Sequence, residues 1–252
     1  MLSTTEWIYL DLEKSGCTFL RAALQQLFPP ECFVNTRKHS LMSCEVALPK
    51  IMTIRQPCEY YFSLWRYGLD GRGAFFSQLS SLFPGLSRKM YEEKTPEAFG
   101  CFLDFVLNSP IRYPNASRMD WLPLGFDLYT TRIISMIIPV EKRVAFLHEL
   151  GSDFPHPERV IAAATPFCPE ILIRTKSLNS DFHDLAASGL LGFMNLPERW
   201  KDSFPLESPS LNQSVSLQAD SIDAFLLPGW RAAIESKSSV AIWMLETAAA
   251  QF

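Results

Sequence analysis

The stretch from Trp7 to Gln26, WIYLDLEKSGCTFLRAALQQ, restricts the possible folds more than any other part of the chain. Its apolar run, Trp7, Ile8, Tyr9, Leu10 and Leu12, reads as a short buried strand. The run stops at a tight polar loop, Glu13-Lys14-Ser15-Gly16-Cys17-Thr18. A helix pattern starts at once, with Leu20, Ala23, Leu24 and Leu27 three or four residues apart. Strand, small-residue loop and helix in succession aim backbone N–H groups at an anion, and the positive end of the helix dipole adds to the attraction. Lys14 contributes a full charge and Thr18 a hydroxyl at the first turn. The expectation is a site for a phosphate or sulfate ester. The loop lacks the G-x-x-x-x-G-K-[ST] spacing of a nucleoside-triphosphate loop, since Gly16 is its only glycine and the lysine precedes it.

The same arrangement recurs downstream. Lys50 to Arg55, KIMTIR, reads as a strand, and Gln56-Pro57 ends it. Pro57 suits the first position of a helix, and Glu59 to Tyr67 has helical apolar spacing. Arg55 stands at the strand end and Ser63 about two turns along the helix, so both can face the crevice at the carboxyl ends of the strands, where open α/β sheets bind ligands. A later run, Glu170 to Arg174, reads as another buried strand, followed by Thr175 and a helix through Leu185. No repeat, charge run or low-complexity segment marks a boundary, so the 252 residues are expected to form one α/β domain.

The formal charge is −4, and the basic excess or stripe of a nucleic-acid-binding domain is missing. Any anion site is therefore local. The six cysteines form no C-x-x-C pair and no Cys/His cluster with zinc spacing, so they read as scattered reduced thiols. The first residues show no basic segment followed by a long apolar one, and no apolar run reaches the length of about 18–20 residues that spans a membrane. Together these features predict a cytoplasmic protein without a membrane span.

Elsewhere the chain predicts a short strand at Cys32–Val34, a short helix at Leu41–Ala47, and a long irregular segment from Gly68 to Arg88. Thr95 is placed as the cap of a helix that opens on Pro96 and runs to about Leu107. Polar irregular chain is expected over 108–121, and a helix or strand at Leu128–Ile138. A helix is expected at Glu141–Leu150 and a loop at Asp153–Pro157. Terminal helices are expected at Ser221–Phe225 and Arg231–Ala248.

Two of these segments carry a resemblance. Glu13-Lys14-Ser15-Gly16-Cys17-Thr18-Phe19 resembles the P-K-S-G-T-T-W loop of sulfotransferases that use 3′-phosphoadenosine 5′-phosphosulfate (PAPS); Lys14, Ser15, Gly16 and Thr18 match, whereas Glu13, Cys17 and Phe19 depart. The segment from Arg55 to Trp65 resembles that family's R-x-P-x-(D/E)-x-x-x-S-x-(Y/W) element, which holds the 3′-phosphate. Thr95 to Phe99 resembles its T-P-E-x-F helix. Glu170 to Arg174 with Thr175 to Phe182 after it resembles its I-x-R-T-E-x-L-x-x-D segment, with Lys176 in place of the acid, and Asn212-Gln213-Ser214 resembles a late N-x-S element.

The resemblance implies a three-layer α/β/α fold with a central, mainly parallel sheet, closest in pattern to carbohydrate-type sulfotransferases. It implies in-line transfer of a sulfuryl group from PAPS to a hydroxyl or amine of a carbohydrate or small-molecule acceptor. Lys14 and the amides of Ser15, Gly16, Cys17 and Thr18 would hold the 5′ end of the nucleotide, and Arg55 and Ser63 its 3′-phosphate, with no metal. Residues 68–125 would form an acceptor-side lid. Lys14 would support the leaving group and His39, in a Lys38-His39 pair, would be the base, with Glu45 as the alternative. Cys17 reads as a small filler rather than a nucleophile. The rival readings are a non-catalytic nucleotide-binding protein of the same fold and a P-loop nucleotide kinase. Acceptor and oligomeric state are not legible in the sequence.

Overall fold

The computed structural model describes residues 1–108, 122, 125–151, 156–198, 200 and 221–251. It is an α/β protein. The strands are β1 (Leu2–Ser3), β2 (Ile8–Leu10), β3 (Lys50–Ile54) and β4 (Ile171–Arg174). The helices of the first half are α1 (Cys17–Leu27), α2 (Pro57–Leu69), α3 (Ala74–Leu82), α4 (Pro84–Tyr91) and α5 (Pro96–Asn108). Those of the second half are α6 (Leu128–Ile137), α7 (Arg143–Leu150), α8 (Pro157–Ala164), α9 (Leu178–Ala187), α10 (Trp230–Lys237) and α11 (Ser239–Ala249). No helix among the described residues is long and apolar enough to cross a membrane. The chain divides into two compact units: Met1–Arg55 with Ile133–Asn212 and Trp243–Phe252, and Gln56–Arg132 with Gln213–Ile242.

The first unit is built on a four-stranded mixed sheet in the order β1-β2-β3-β4. β2, β3 and β4 run parallel, with Tyr9 opposite Ile51 and Ile51 opposite Ile171. β1 runs antiparallel to β2, after a turn in which the Thr4 hydroxyl oxygen accepts from the amides of Glu6 and Trp7, each at 3.1 Å. The three parallel strands are buried on both faces, which is why they read as continuous apolar runs rather than alternating ones. On one face Tyr9, Ile51, Ile171 and Ile173 pack against Leu20, Leu24 and Leu27 of α1 and Phe182 and Leu185 of α9.

Two expectations fail in this unit. Cys32–Val34 is not a strand; Pro29 and Pro30 set a single 3-10 turn at Pro30–Cys32, and the chain then meets β1 at Ser3, through a bridge to Asn35 and the Val34 N–H donating to the Ser3 carbonyl at 2.8 Å. Leu41–Ala47 forms no helix; Met42 and Ser43 instead accept from the amides of Val140 and Glu141 through their carbonyls. Leu128–Ile138 resolves to the helix α6, and Pro157 opens α8 rather than ending a loop.

The second unit is helical, with an aromatic core. Trp65 of α2 lies 4.9 Å from Phe99 of α5 and 5.5 Å from Phe225, ring centroid to centroid, and its indole N–H donates to the Met90 carbonyl. Thr95 caps α5 as expected, its hydroxyl oxygen accepting from the Ala98 amide at 3.2 Å. The irregular segment expected over Gly68–Arg88 is mostly helix. Gly71 and Gly73, at φ 69° and 98°, turn the chain between α2 and α3, and Pro84 opens α4. Phe75 and Phe76 pack against Phe102 and Tyr91, so their helical spacing was concealed by the flanking glycines. Ser221–Phe225 holds only a 3-10 turn. The expected helix Arg231–Ala248 breaks at Ser238, a buried residue whose hydroxyl donates to the carboxylate of the fully buried Asp127 at 2.8 Å.

Candidate anion site

Residues 11–16 connect the end of β2 to α1. Two consecutive demands shape this loop. Gly16 adopts φ 84°, and a Cβ added to it would lie 2.8 Å from Cδ1 of Leu178. Lys14 adopts φ 61°, a left-handed conformation uncommon for a side chain of its size. Ser15, between them, is fully buried; its hydroxyl donates to the Leu12 carbonyl at 2.7 Å and lies 2.8 Å from the Thr53 hydroxyl. The serine hydroxyl therefore fixes the loop from within. No side chain caps α1 at Gly16, and the first-turn amides of a helix have no intrahelical acceptor.

Three cationic side chains belong to this region, from three segments of the chain. Lys14 is in the loop. Arg55, at the end of β3, donates through Nη1 to the Lys14 carbonyl at 3.1 Å, bracing the left-handed residue. Lys38 donates through Nζ to the Thr18 hydroxyl oxygen at 3.0 Å, on the first turn of α1. Thr175, just after β4, donates its single hydroxyl proton between the carbonyls of Ser15 and Ile54, at 2.8 and 3.0 Å. The carboxyl ends of all three parallel strands thus meet at the loop. Behind them Arg174 grips the buried Asp181 of α9 in a two-pronged pair, Nε to Oδ2 at 2.8 Å and Nη2 to Oδ1 at 2.7 Å.

His39 reaches the same loop from the other side. Its Nδ1 lies 2.5 Å from the Asp11 carbonyl oxygen, and its backbone N–H donates to Asp11 Oδ1 at 3.0 Å. A carbonyl only accepts, so Nδ1 carries the hydrogen and the neutral ring has its lone pair on Nε2. Asp11 is fully buried and is paired with Arg21 of α1, whose Nη1 donates to Oδ2 at 2.9 Å. The amino group of Met1 also donates to Oδ1, and Arg21 Nη2 donates to the Thr36 carbonyl. Burial pushes the Cys17 thiol up, with Lys38 opposing, so at neutral pH it stays protonated and fills space.

Of the residues predicted from sequence, Lys14, Ser15, Gly16, Cys17, Thr18, His39 and Arg55 all belong to the first unit and gather around one loop. Ser63 lies on α2, half-buried, in the second unit. Glu45, the alternative base, forms an exposed ion pair with Lys142 at 3.0 Å. The Asn212–Ser214 element and the polar side chains of 109–121 lie outside the described residues. Sequence reasoning missed Asp11, Arg21 and Thr175 as parts of the site, and gave Lys38 no role beyond its place beside His39. An acid directly after an apolar strand was the one available signal for Asp11. No family model, no curated protein and no solved structure matches this chain.

Proposed function

We propose that the chain is a PAPS-dependent sulfotransferase on the three-layer, P-loop-like fold of that family, acting on a hydroxyl or amine of a carbohydrate or small molecule. The observation that carries the reading is the bond from Arg55 to the Lys14 carbonyl, which ties the two sequence motifs to one loop. The donor set fits a phosphorylated, sulfated nucleotide: an uncapped helix start with Lys14, Lys38 and Arg55 around it offers hydrogen-bond donors and positive charge.

When bound, PAPS supplies the sulfuryl group and its bisphosphate remains as the leaving group. Lys14 and the amides of residues 15–18 hold the 5′ end and offset negative charge at the leaving oxygen. Arg55 holds the 3′-phosphate, and a role for Ser63 rests on the motif alone. Nε2 of His39 accepts the proton of the acceptor group.

Thermal-shift measurements with adenosine 3′,5′-bisphosphate test this. At about 100 times the dissociation constant the ligand adds about 2.7 kcal/mol of stability. Lys14→Ala and Arg55→Ala each remove a charged hydrogen bond of about 1.5–3 kcal/mol, a loss of roughly ten- to a hundredfold in affinity. Stabilisation only by ATP with magnesium supports the kinase instead. Bisphosphate binding without transfer to any of a broad set of acceptors supports a non-catalytic binding protein.

A further inference from the structure

We infer that Asp11, held by Arg21, is a positioning residue that fixes His39 with its lone pair on Nε2. The inference rests on the reading of His39 as the base and adds to it the device that sets the ring. Three contacts carry it. The Asp11 backbone carbonyl takes the hydrogen of Nδ1, its carboxylate takes the His39 amide, and the other carboxylate oxygen takes Arg21. His39 stands at φ 53°, a conformation that a non-glycine residue keeps only where its surroundings hold it. The carboxylate supplies that hold on the backbone, and the carbonyl of the same residue then finds Nδ1 in reach. Arg21 closes the arrangement by donating both to Asp11 and to the Thr36 carbonyl, three residues before His39.

The carboxylate has to be an acceptor at both oxygens. In Asp11→Asn one oxygen becomes an NH₂ group, which faces either Arg21 or the His39 amide, and a donor then meets a donor. His39 loses its backbone anchor, and the Nδ1 contact goes with it. The folded chain then samples the Nε2–H tautomer, which has no lone pair on the side where the base must act.

The test is ¹⁵N NMR of the imidazole at mildly alkaline pH, above the ordinary titration range of histidine. Wild-type protein is expected to show His39 as the Nδ1–H form. Asp11→Asn is expected to show a mixture or a majority of Nε2–H, with bisphosphate affinity unchanged within about twofold and transfer slowed by about tenfold or more. Should Asp11→Asn fail to fold, Asp11→Asn with Arg21→Gln also removes the buried guanidinium that loses its carboxylate, and is read the same way. An Nε2–H signal for His39 in wild type overturns the inference, as does an unchanged Nδ1–H signal in the folded variant. The NMR result needs no nucleotide. A tautomer switch in a protein that transfers no sulfuryl group would therefore sink the functional reading and leave the positioning intact.

Discussion

Replacing Gly16 by alanine tests the loop geometry at its tightest point. Two separate costs arise. Forcing an L-residue to φ 84° costs about 1–2 kcal/mol, because Cβ crowds the carbonyl that follows. The new methyl would also stand 2.8 Å from Cδ1 of Leu178, a buried side chain of α9, with Cγ2 of Thr175 at 3.5 Å behind it. Overpacking of this kind costs about 1–3 kcal/mol. The sum, roughly 2–5 kcal/mol, is a large part of the roughly 5–15 kcal/mol that holds a typical domain together. At about 2–4 °C per kcal/mol for a chain of this size, the melting temperature should fall by roughly 5–20 °C. Urea denaturation followed by circular dichroism gives the free energy directly. A cycle with Leu178→Ala separates the two costs, since that background removes the clashing methyl and leaves the backbone strain. Gly16→Ala should then cost only about 1–2 kcal/mol. A loss under about 0.5 kcal/mol in wild type, or the same loss in both backgrounds, would refute the steric account.

Two further predictions concern stability. Burial raises the Asp127 carboxyl above its ordinary range, while bonds from Thr130, Tyr61 and Ser238 pull the other way. The folded state therefore binds this proton more tightly than the unfolded chain. The resulting contribution is fully present below the unfolded value of about 3.9 and is lost as pH rises through the higher folded value. Denaturation of wild type and Asp127→Asn at a series of pH values should show the wild type losing ground to the variant over that interval, and parallel curves would contradict it. Thr175→Val removes the one proton shared by the Ser15 and Ile54 carbonyls and should cost about 1–3 kcal/mol, with Thr175→Ser restoring most of it. Failure of serine to restore stability would show that the methyl group, rather than the hydroxyl, matters.

The parts of the fold legible in the sequence were those where local chemistry and tertiary demand agree. β3 and β4 were visible because burial on both faces leaves short apolar runs bounded by Pro57 and Thr175. α5 was visible because Thr95 and Pro96 mark its start. Errors arose where a marker had two meanings. The glycines around residue 71 suggested a loop, yet they serve only to turn the chain between α2 and α3. Pro157 suggested irregular chain and instead begins α8. The run from Arg231 to Ala248 has no residue that must break a helix. The break at Ser238 comes from a contact with Asp127, more than a hundred residues away in sequence, and no local pattern encodes it.

The site shows the same division. Lys14, Gly16 and Arg55 could be read from sequence because each sits at a strand–helix junction, where the chain itself dictates a turn. Asp11, Arg21 and Thr175 could not, since their roles depend on partners supplied by other strands and by the 36–39 segment. Ser15 illustrates the difference within one residue. Its position beside Gly16 belongs to the motif, yet its hydroxyl is spent inward on Leu12 and Thr53. Side-chain identity at such a position therefore records the demands of the loop's interior. Glu13, Cys17 and Phe19 differ from the expected pattern. Cys17 and Phe19 are buried and half-buried positions of α1, and their side chains answer to packing around the loop.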